Sequence, residues 1–330
     1  MAGCRVYLFT YKRNGLLPRA VSSLINQTYS NWICEVHNDD PSDSFPSEYV
    51  ISLNDPRFII KNHAQNLGGV ASFNLAFNGC AEEYASILED DNWWEPTFLK
   101  EMADALNNHP MVNVAWSNMR LWQELPNNKW IDTGKTTWPI DNLTLFNWPD
   151  KIQPLAALHS IGAMMYRTKS AQNYIVPGQT LLNAVELIRE RSFEHPLYLN
   201  ANPLANFAIT LNTNRSSDPF AWIASQTMML ASFVVTSNDK HPAFNDTLKY
   251  YRTRKPNPVA VLFLANFLLI KDAALYKYFK PADWLTIGKW LLKNGLRLGY
   301  MRQILSAQKE TYEFLLKNTK LRHQESIHNI

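Results

Sequence analysis

Ile87-Leu88-Glu89-Asp90-Asp91-Asn92-Trp93-Trp94-Glu95-Pro96 decides how the first hundred residues are read. Residues 84–88 form a short apolar run with the length of a buried strand. Residues 96–106 have helical spacing, with proline at the start. Three carboxylates therefore stand in a row where a strand ends and a helix is about to begin. Crowded carboxylates repel one another and need a compensating positive charge. Mg2+ or Mn2+ would supply it, because such hard ions take oxygen ligands from one or two carboxylates and from substrate phosphates. An isolated Glu-Asp-Asp is more often a solvated turn than a site, so its meaning rests on its surroundings.

Residues 5–10, 32–37 and 57–61 predict three further strands. Residues 16–27 carry Leu17, Ala20, Val21, Leu24 and Ile25 at helical spacing, and 70–80 predict a helix after Gly68-Gly69. Strands alternating with helices imply an α/β, Rossmann-like class with a mostly parallel sheet flanked by helices. Ligands of such sheets sit at the carboxyl ends of the strands. Thr10-Tyr11, Asp39-Asp40 and Glu89-Asp90-Asp91 are thus expected to converge on one crevice.

The same residues carry a resemblance. Leu88-Glu89-Asp90-Asp91-Asn92, with an aromatic pair and Pro96 behind it, resembles the end of the fourth strand in family 2 glycosyltransferases of the GT-A fold. The family pattern there is L-D-x-D-D, so Glu replaces the first Asp and Asn the last. Residues 6–14, Val-Tyr-Leu-Phe-Thr-Tyr-Lys-Arg-Asn, resemble the family's first strand and its T-Y-N-R turn, with Lys12 where Asn is usual. Residues 24–32 resemble its Q-T-Y-x-x-W helix end, and 35–43 its D-D-G-S-x-D turn with Pro41 for Gly. Residues 66–74 resemble N-x-G-x-a-x-a-x-N. Five motifs in order over residues 5–99 are far more specific than any one of them.

The resemblance implies a nucleotide-sugar donor, Mn2+ or Mg2+ as cofactor, and a glycan or lipid-linked acceptor. Asp91 looks like the direct metal ligand, and Glu89 falls on the other acidic position of the metal motif, facing the sugar or ribose. Thr10 and Tyr11 would frame the base, with Arg13 close by. Asp39 or Asp40 would accept a hydrogen bond from base or ribose. Asn66 and Gly68 would line the other side, and Asp90 would complete the donor pocket. UDP is the nucleotide the resemblance suggests, and transfer with inversion is the family expectation.

Inversion needs a general base that takes the acceptor hydroxyl's proton. Residues 159–167, His-Ser-Ile-Gly-Ala-Met-Met-Tyr-Arg, resemble the strand preceding the family's E-D element. That pair is absent here. Glu186 is the candidate base, with Glu190 and Glu194 behind it. Arg215, in the polar loop 212–218, has the donor fork suited to phosphates. Trp116, Asn118, Trp122 and Glu124 are candidates for an acceptor surface.

The rest of the chain sets limits. Its 330 residues are 46% hydrophobic and 18% charged, enough for a sizeable core. A net charge of +3 gives no case for nucleic-acid binding through many phosphates. Cys4, Cys34 and Cys80 lack metal-ligand spacing and read as reduced cytosolic thiols, and no secretion signal pattern opens the sequence. Residues 1–240 are expected to form the GT-A domain and 241–330 a helical region, with 259–270 a buried helix. Its basic, aromatic helices would cover the core, form a homo-oligomer interface or rest on the inner face of a membrane. Neither G-x-G-x-x-G nor a P-loop is present. A nucleotidyltransferase, or an inactive nucleotide- or carbohydrate-binding module on the same shell, are the competing functions.

Overall fold

The computed structural model describes residues 3–127, 129–138, 144–146, 155, 158, 160–211, 218–254 and 258–328. They form two compact units. The first takes in Met1–Phe146, Leu158–Ile175 and Phe193–Asn214, and the second Asn147–Ala157, Val176–Ser192 and Arg215–Ile330.

The first unit holds β1 (Cys4–Thr10), α1 (Leu17–Ile25), β2 (Trp32–Asn38), α2 (Phe45–Ser52), β3 (Phe58–Asn62), α3 (Gly68–Asn74), β4 (Tyr84–Glu89), β5 (Trp93–Trp94), α4 (Phe98–Asn108), β6 (Val114–Leu125), β7 (Lys129–Thr136), β8 (Thr144–Phe146), β9 (Met164–Arg167) and β10 (Leu197–Ile209). One sheet runs in the order β3-β2-β1-β4-β9-β6-β10-β5, with β7 added to β6 and β8 to β10. β3, β2, β1 and β4 are parallel, and Leu8 pairs with both Val36 and Leu88. β1 and β4 are buried along nearly their whole length, which is why they read as continuous apolar runs.

The far half of the sheet is more mixed than the sequence predicts. β9 runs antiparallel between β4 and β6. β6 and β7 are antiparallel because only three residues join them, too few for a parallel crossover. β6 and β10 are 12 and 13 residues long, where the sequence reads as loops and short strands. Their polar residues work inside the sheet. Asn118, buried, donates to the carbonyls of Trp138 and Ala201 (3.1 and 3.2 Å) and accepts from the N–H groups of Met119 and Trp138 and the hydroxyl of Thr137. It locks β6 to β10 where their register shifts around Pro203.

The Q-T-Y motif has a similar task. Gln27 donates to the Glu95 carbonyl at 2.8 Å and accepts from Leu99 N–H at 2.9 Å, while Thr28 N–H donates to the Pro96 carbonyl. The end of α1 thereby fixes the start of α4 and the segment between β4 and α4. α4 supplies the apolar side of that contact with Phe98, Leu99, Met102 and Leu106, all fully buried.

The second unit contains α5 (Val185–Glu190), α6 (Pro219–Thr236), α7 (Lys240–Arg252), α8 (Val259–Leu264), α9 (Pro281–Asn294), α10 (Leu298–Ala307) and α11 (Lys309–His328). α6 is apolar all round and is the one described helix long and apolar enough to cross a membrane. α7, α8, α10 and α11 pack on it, and most of it is buried within the unit, the behaviour of a core helix. The helical unit therefore begins before the boundary expected at residue 240, because α6 has to bury its whole circumference. The apolar run 259–270 is helical, with a π turn over Ala265–Ile270.

Asn118→Ala should lower the free energy of urea unfolding by about 3 kcal/mol, because it strands several buried partners at once.

Candidate active site

β1, β2 and β4 end side by side. Their registers set Thr10 beside Asn38 and Phe9 beside Glu89. The chain leaves β1 through Lys12 with φ of 55°. Left-handed backbone is easier for Asn than for a long side chain, which accounts for the Asn usual here in the family pattern. This turn leaves the Tyr11 ring 38% exposed at the mouth of the crevice and points the Tyr11 N–H at Asp90 Oδ2 (3.3 Å). It also carries Arg13 onto the acidic cluster. Arg13 is ion-paired to Asp91 and lies 3.5 Å from Asp90 Oδ1.

The three carboxylates turn in different directions. Glu89 Oε2 accepts from Ser160 Oγ at 2.7 Å and from Asn92 Nδ2 at 2.6 Å. Asn92, wholly buried, also accepts from the Ala208 N–H. An aspartate at position 92 could not donate to Glu89, so the two departures from L-D-x-D-D compensate each other. Gly162 lies against this group. A Cβ there would stand 2.8 Å from Glu89 Oε2 and 3.2 Å from Asn92 Nδ2. The sequence quotes Ser160, Gly162 and Asn92 within motifs but gives no sign that they meet Glu89.

Burial pushes Glu89 and Asp90 up to about 7, with the charge of Asp91 adding to both, and raises Asp91 as well. Arg13 offsets part of this. A second cation, Arg19, donates to the Asp91 carbonyl at 2.8 Å and lies between the rings of Trp93 and Trp130, 3.8 and 4.2 Å from their centroids. Burial lowers its pKa to about 10. No sequence signal singles out Arg19.

On the β2 side the two aspartates differ. Asp39 is fully engaged in building the wall. Its carboxylate accepts from the N–H groups of Leu67 (2.8 Å) and Gly68 (3.2 Å) and contacts His63 Nδ1 at 2.8 Å. Asn66 Nδ2 donates to the Asp39 carbonyl, and Gly68 takes φ of 76°, which a glycine adopts without strain. His63 also contacts His37 at 3.0 Å. Asp40 is held by Ser42, whose N–H and hydroxyl both donate to Oδ1, and this lowers its pKa. Its Oδ2 lies 3.9 Å from Lys12 Nζ.

Thr10, Tyr11, Asp39, Asp40, Glu89, Asp90 and Asp91 therefore stand at or just past the ends of β1, β2 and β4, with Arg13 in the exit turn of β1 and Asn66 and Gly68 joined to Asp39 from the segment after β3. The structure separates the two expected metal residues, since Glu89 faces Ser160 while Asp91 faces Arg13. Among the described residues no three His, Cys, Asp or Glu side chains form a group that could hold a metal. The donor set fits a hard cation that takes one carboxylate from the chain: three crowded carboxylates exceed the charge of the one guanidinium paired to them.

Glu186 lies on α5 in the second unit. Glu190, in the same helix, is buried 3.6 Å from Arg191. Glu194 accepts from Asn113 and Asn173. Arg215 lies outside the described residues. Trp116 and Asn118 are buried in the core rather than at a surface, while Trp122 is half-buried with its N–H on Asn206.

A carboxylate whose pKa rises on folding withdraws stability as pH climbs through the folded value, because the folded state holds the extra proton. Asp90→Asn should thus be more stable than the native chain by on the order of 2 kcal/mol at pH 8. The gap should shrink towards pH 5, read from urea unfolding at each pH.

Sequence comparison places this geometry. A model of glycosyl transferase family 2 matches residues 6–169. WcaA of Escherichia coli (strain K12), named for colanic acid biosynthesis and glycosyl transfer, is 36% identical over 96 residues, 28% of this chain and 34% of WcaA. The uncharacterized glycosyltransferase R139 of Acanthamoeba polyphaga mimivirus is 25% identical over 172 residues, 46% of this chain and 61% of R139. The chain thus spans less than two thirds of either relative. Among solved structures, S. aureus TarS (residues 1–349, with UDP-GlcNAc) superposes with a TM-score of 0.60 at 11% identity, covering 99% of this chain and 92% of that one. The mannosyltransferase PcManGT of Pyrobaculum calidifontis, in complex with GDP-Man and Mn2+, gives 0.50 at 12% identity, covering 98% and 87%. These likenesses fix the fold as GT-A. Residues 6–169 include every donor-side strand end just described, and through them the chain belongs to glycosyl transferase family 2.

Proposed function

We propose that the chain transfers a sugar from a nucleoside diphosphate donor, UDP-linked by preference, to a hydroxyl of a glycan or lipid-linked acceptor, with inversion. The observation that carries this reading is the set of three crowded carboxylates at the end of β4, Asp90 buried and Glu89 and Asp91 largely so, beside the exposed Tyr11 and the Asp40–Lys12 pair. The base stacks on Tyr11, and Asp40 takes a donor N–H or O–H from base or ribose, while Asp39 keeps the Asn66–Gly68 wall in place. Asp91 would hold Mn2+ or Mg2+ together with the donor's phosphates, and the ion would supply charge to the departing diphosphate. Arg13 moves charge towards the same phosphates, and Glu89 holds the turn that carries Asn92 and Trp93.

The acceptor oxygen attacks the anomeric carbon as the bond to the diphosphate oxygen breaks. A carboxylate, Glu186 in this proposal, takes the hydroxyl proton. Arg215 is the proposed phosphate partner. The three free thiols support work in a reducing, cytoplasmic compartment.

A thermal-shift panel of nucleoside diphosphates and nucleotide sugars, with and without Mn2+, tests the donor site, since a bound donor raises stability by mass action. Donor turnover should vanish in Asp91→Ala. Absence of any shift with every nucleotide would remove the donor reading, and shifts without transfer to any acceptor would favour the binding module. Gly162→Ala should cut transfer by roughly 10- to 100-fold through displacement of Glu89, with the affinity for free nucleotide nearly unchanged.

A further inference from the structure

α9 has an inner and an outer face, and the outer one carries leucine where water should favour polar residues. Asp283 and Ile287 are buried. On a helix turning 100° per residue, Leu285, Lys289 and Leu292 lie within about 60° of one another on the opposite side. Leu285 is 67% exposed and Leu292 91%, and Leu296, in the turn that follows α9, is completely exposed. Trp284, in the same helix, and Tyr300, in α10 (Leu298–Ala307), are half-exposed at 43% and 47%. Isolated exposed leucines are ordinary, but three within twelve residues, two of them on one helix face, are not.

The charge on this segment is as one-sided as its apolarity. Residues 281–303 contain Lys289, Lys293, Arg297 and Arg302 and a single carboxylate, Asp283. That carboxylate is turned inward, bonded to Arg252 at 2.6 to 3.2 Å and to the Lys280 N–H at 2.8 Å. The outer surface of this segment therefore offers leucines interleaved with cations and no carboxylate of its own, while Asp218, from outside it, accepts from the Tyr300 hydroxyl at 2.8 Å.

We infer that this face of α9, with the turn after it, docks on an anionic lipid bilayer. The leucines enter the boundary between headgroups and acyl chains, and the lysine and arginine stems lie along it with their heads at the lipid phosphates. Charge complementarity selects this occupant. A second copy meeting the same face across a twofold axis would bring its own four cations against these four, with no outward carboxylate from residues 281–303 and Asp218 already engaged by Tyr300. The inference does not depend on the identity of the donor.

The test is flotation of the full chain with vesicles of phosphatidylcholine alone, or with phosphatidylglycerol as about a third of the lipid. The protein should float with the anionic vesicles only. The variant K289Q/K293Q/R297Q should bind them on the order of 100-fold more weakly, each basic residue near such a surface being worth about fivefold. L292S/L296S should also bind more weakly, by about tenfold or more, with an unchanged circular dichroism spectrum and melting temperature, since both side chains lie outside the packed core. No flotation of the native chain, or equal flotation of native chain and both variants, overturns the inference. A dimer in sedimentation velocity that L292S/L296S dissolves, with no vesicle binding, overturns it in favour of self-association.

Discussion

Three consecutive carboxylates at the end of a buried strand are a standing electrostatic debt, and the surrounding structure is organised around holding them. Each receives a different kind of partner. Glu89 is held by the neutral donors Ser160 and Asn92, Asp90 by a backbone N–H and the edge of a guanidinium, and Asp91 by Arg13 directly. These partners come from β1's exit turn, from the turn after β4 and from the residues before β9, so three separate connections must be in place at once. Gln27 secures the segment that follows by bonding to both Glu95 and Leu99. What neutral donors cannot do is cancel the charge, and burial, with the charge of Asp91 added to it, holds Glu89 and Asp90 at raised pKa values. The cluster is held in shape while still favouring an added positive charge.

Legibility in the sequence followed how directly a residue's type reports its environment. β1, β2 and β4 were readable because strands buried on both faces need unbroken apolar runs. The strand-end polar residues were readable because the parallel topology forces such ends together. β6 and β10 were not, since Asn118, Asn200 and Asn206 look like loop residues and their hydrogen bonds inside the sheet appear only in three dimensions. Arg19 was invisible for a related reason: its partners, Trp93 and Trp130, are distant in sequence and neutral. The substitutions at 89 and 92 were visible singly, but their mutual compensation depends on which atom of Asn92 donates. The departure at Lys12 is a backbone matter, which composition does not encode.

The two walls of the crevice divide their labour. On the β2 side, Asp39 is a building element whose oxygens hold Leu67, Gly68 and His63, while Asp40 is held by Ser42 through one oxygen and faces Lys12 with the other. On the β4 side, Glu89 faces the neutral donors Ser160 and Asn92, and Asp91 faces the cation Arg13. Neighbouring acids thus acquire different surroundings from the donors each happens to face, and sequence position alone does not assign them.

β6 behaves mechanically as an arm braced on both edges. Its first six residues are rooted in the core and its last six run half-exposed towards the β7 hairpin, where Trp122 and Trp130 stand near Trp93. At about 3.3 Å per residue the outer half reaches about 20 Å from its root, and it is laddered to β10 on one edge and to β7 on the other. Asn118 sits near the root with its five hydrogen bonds. Two strands and one buried amide thereby share the task of presenting Trp130, on β7, to Arg19 beside the acidic cluster.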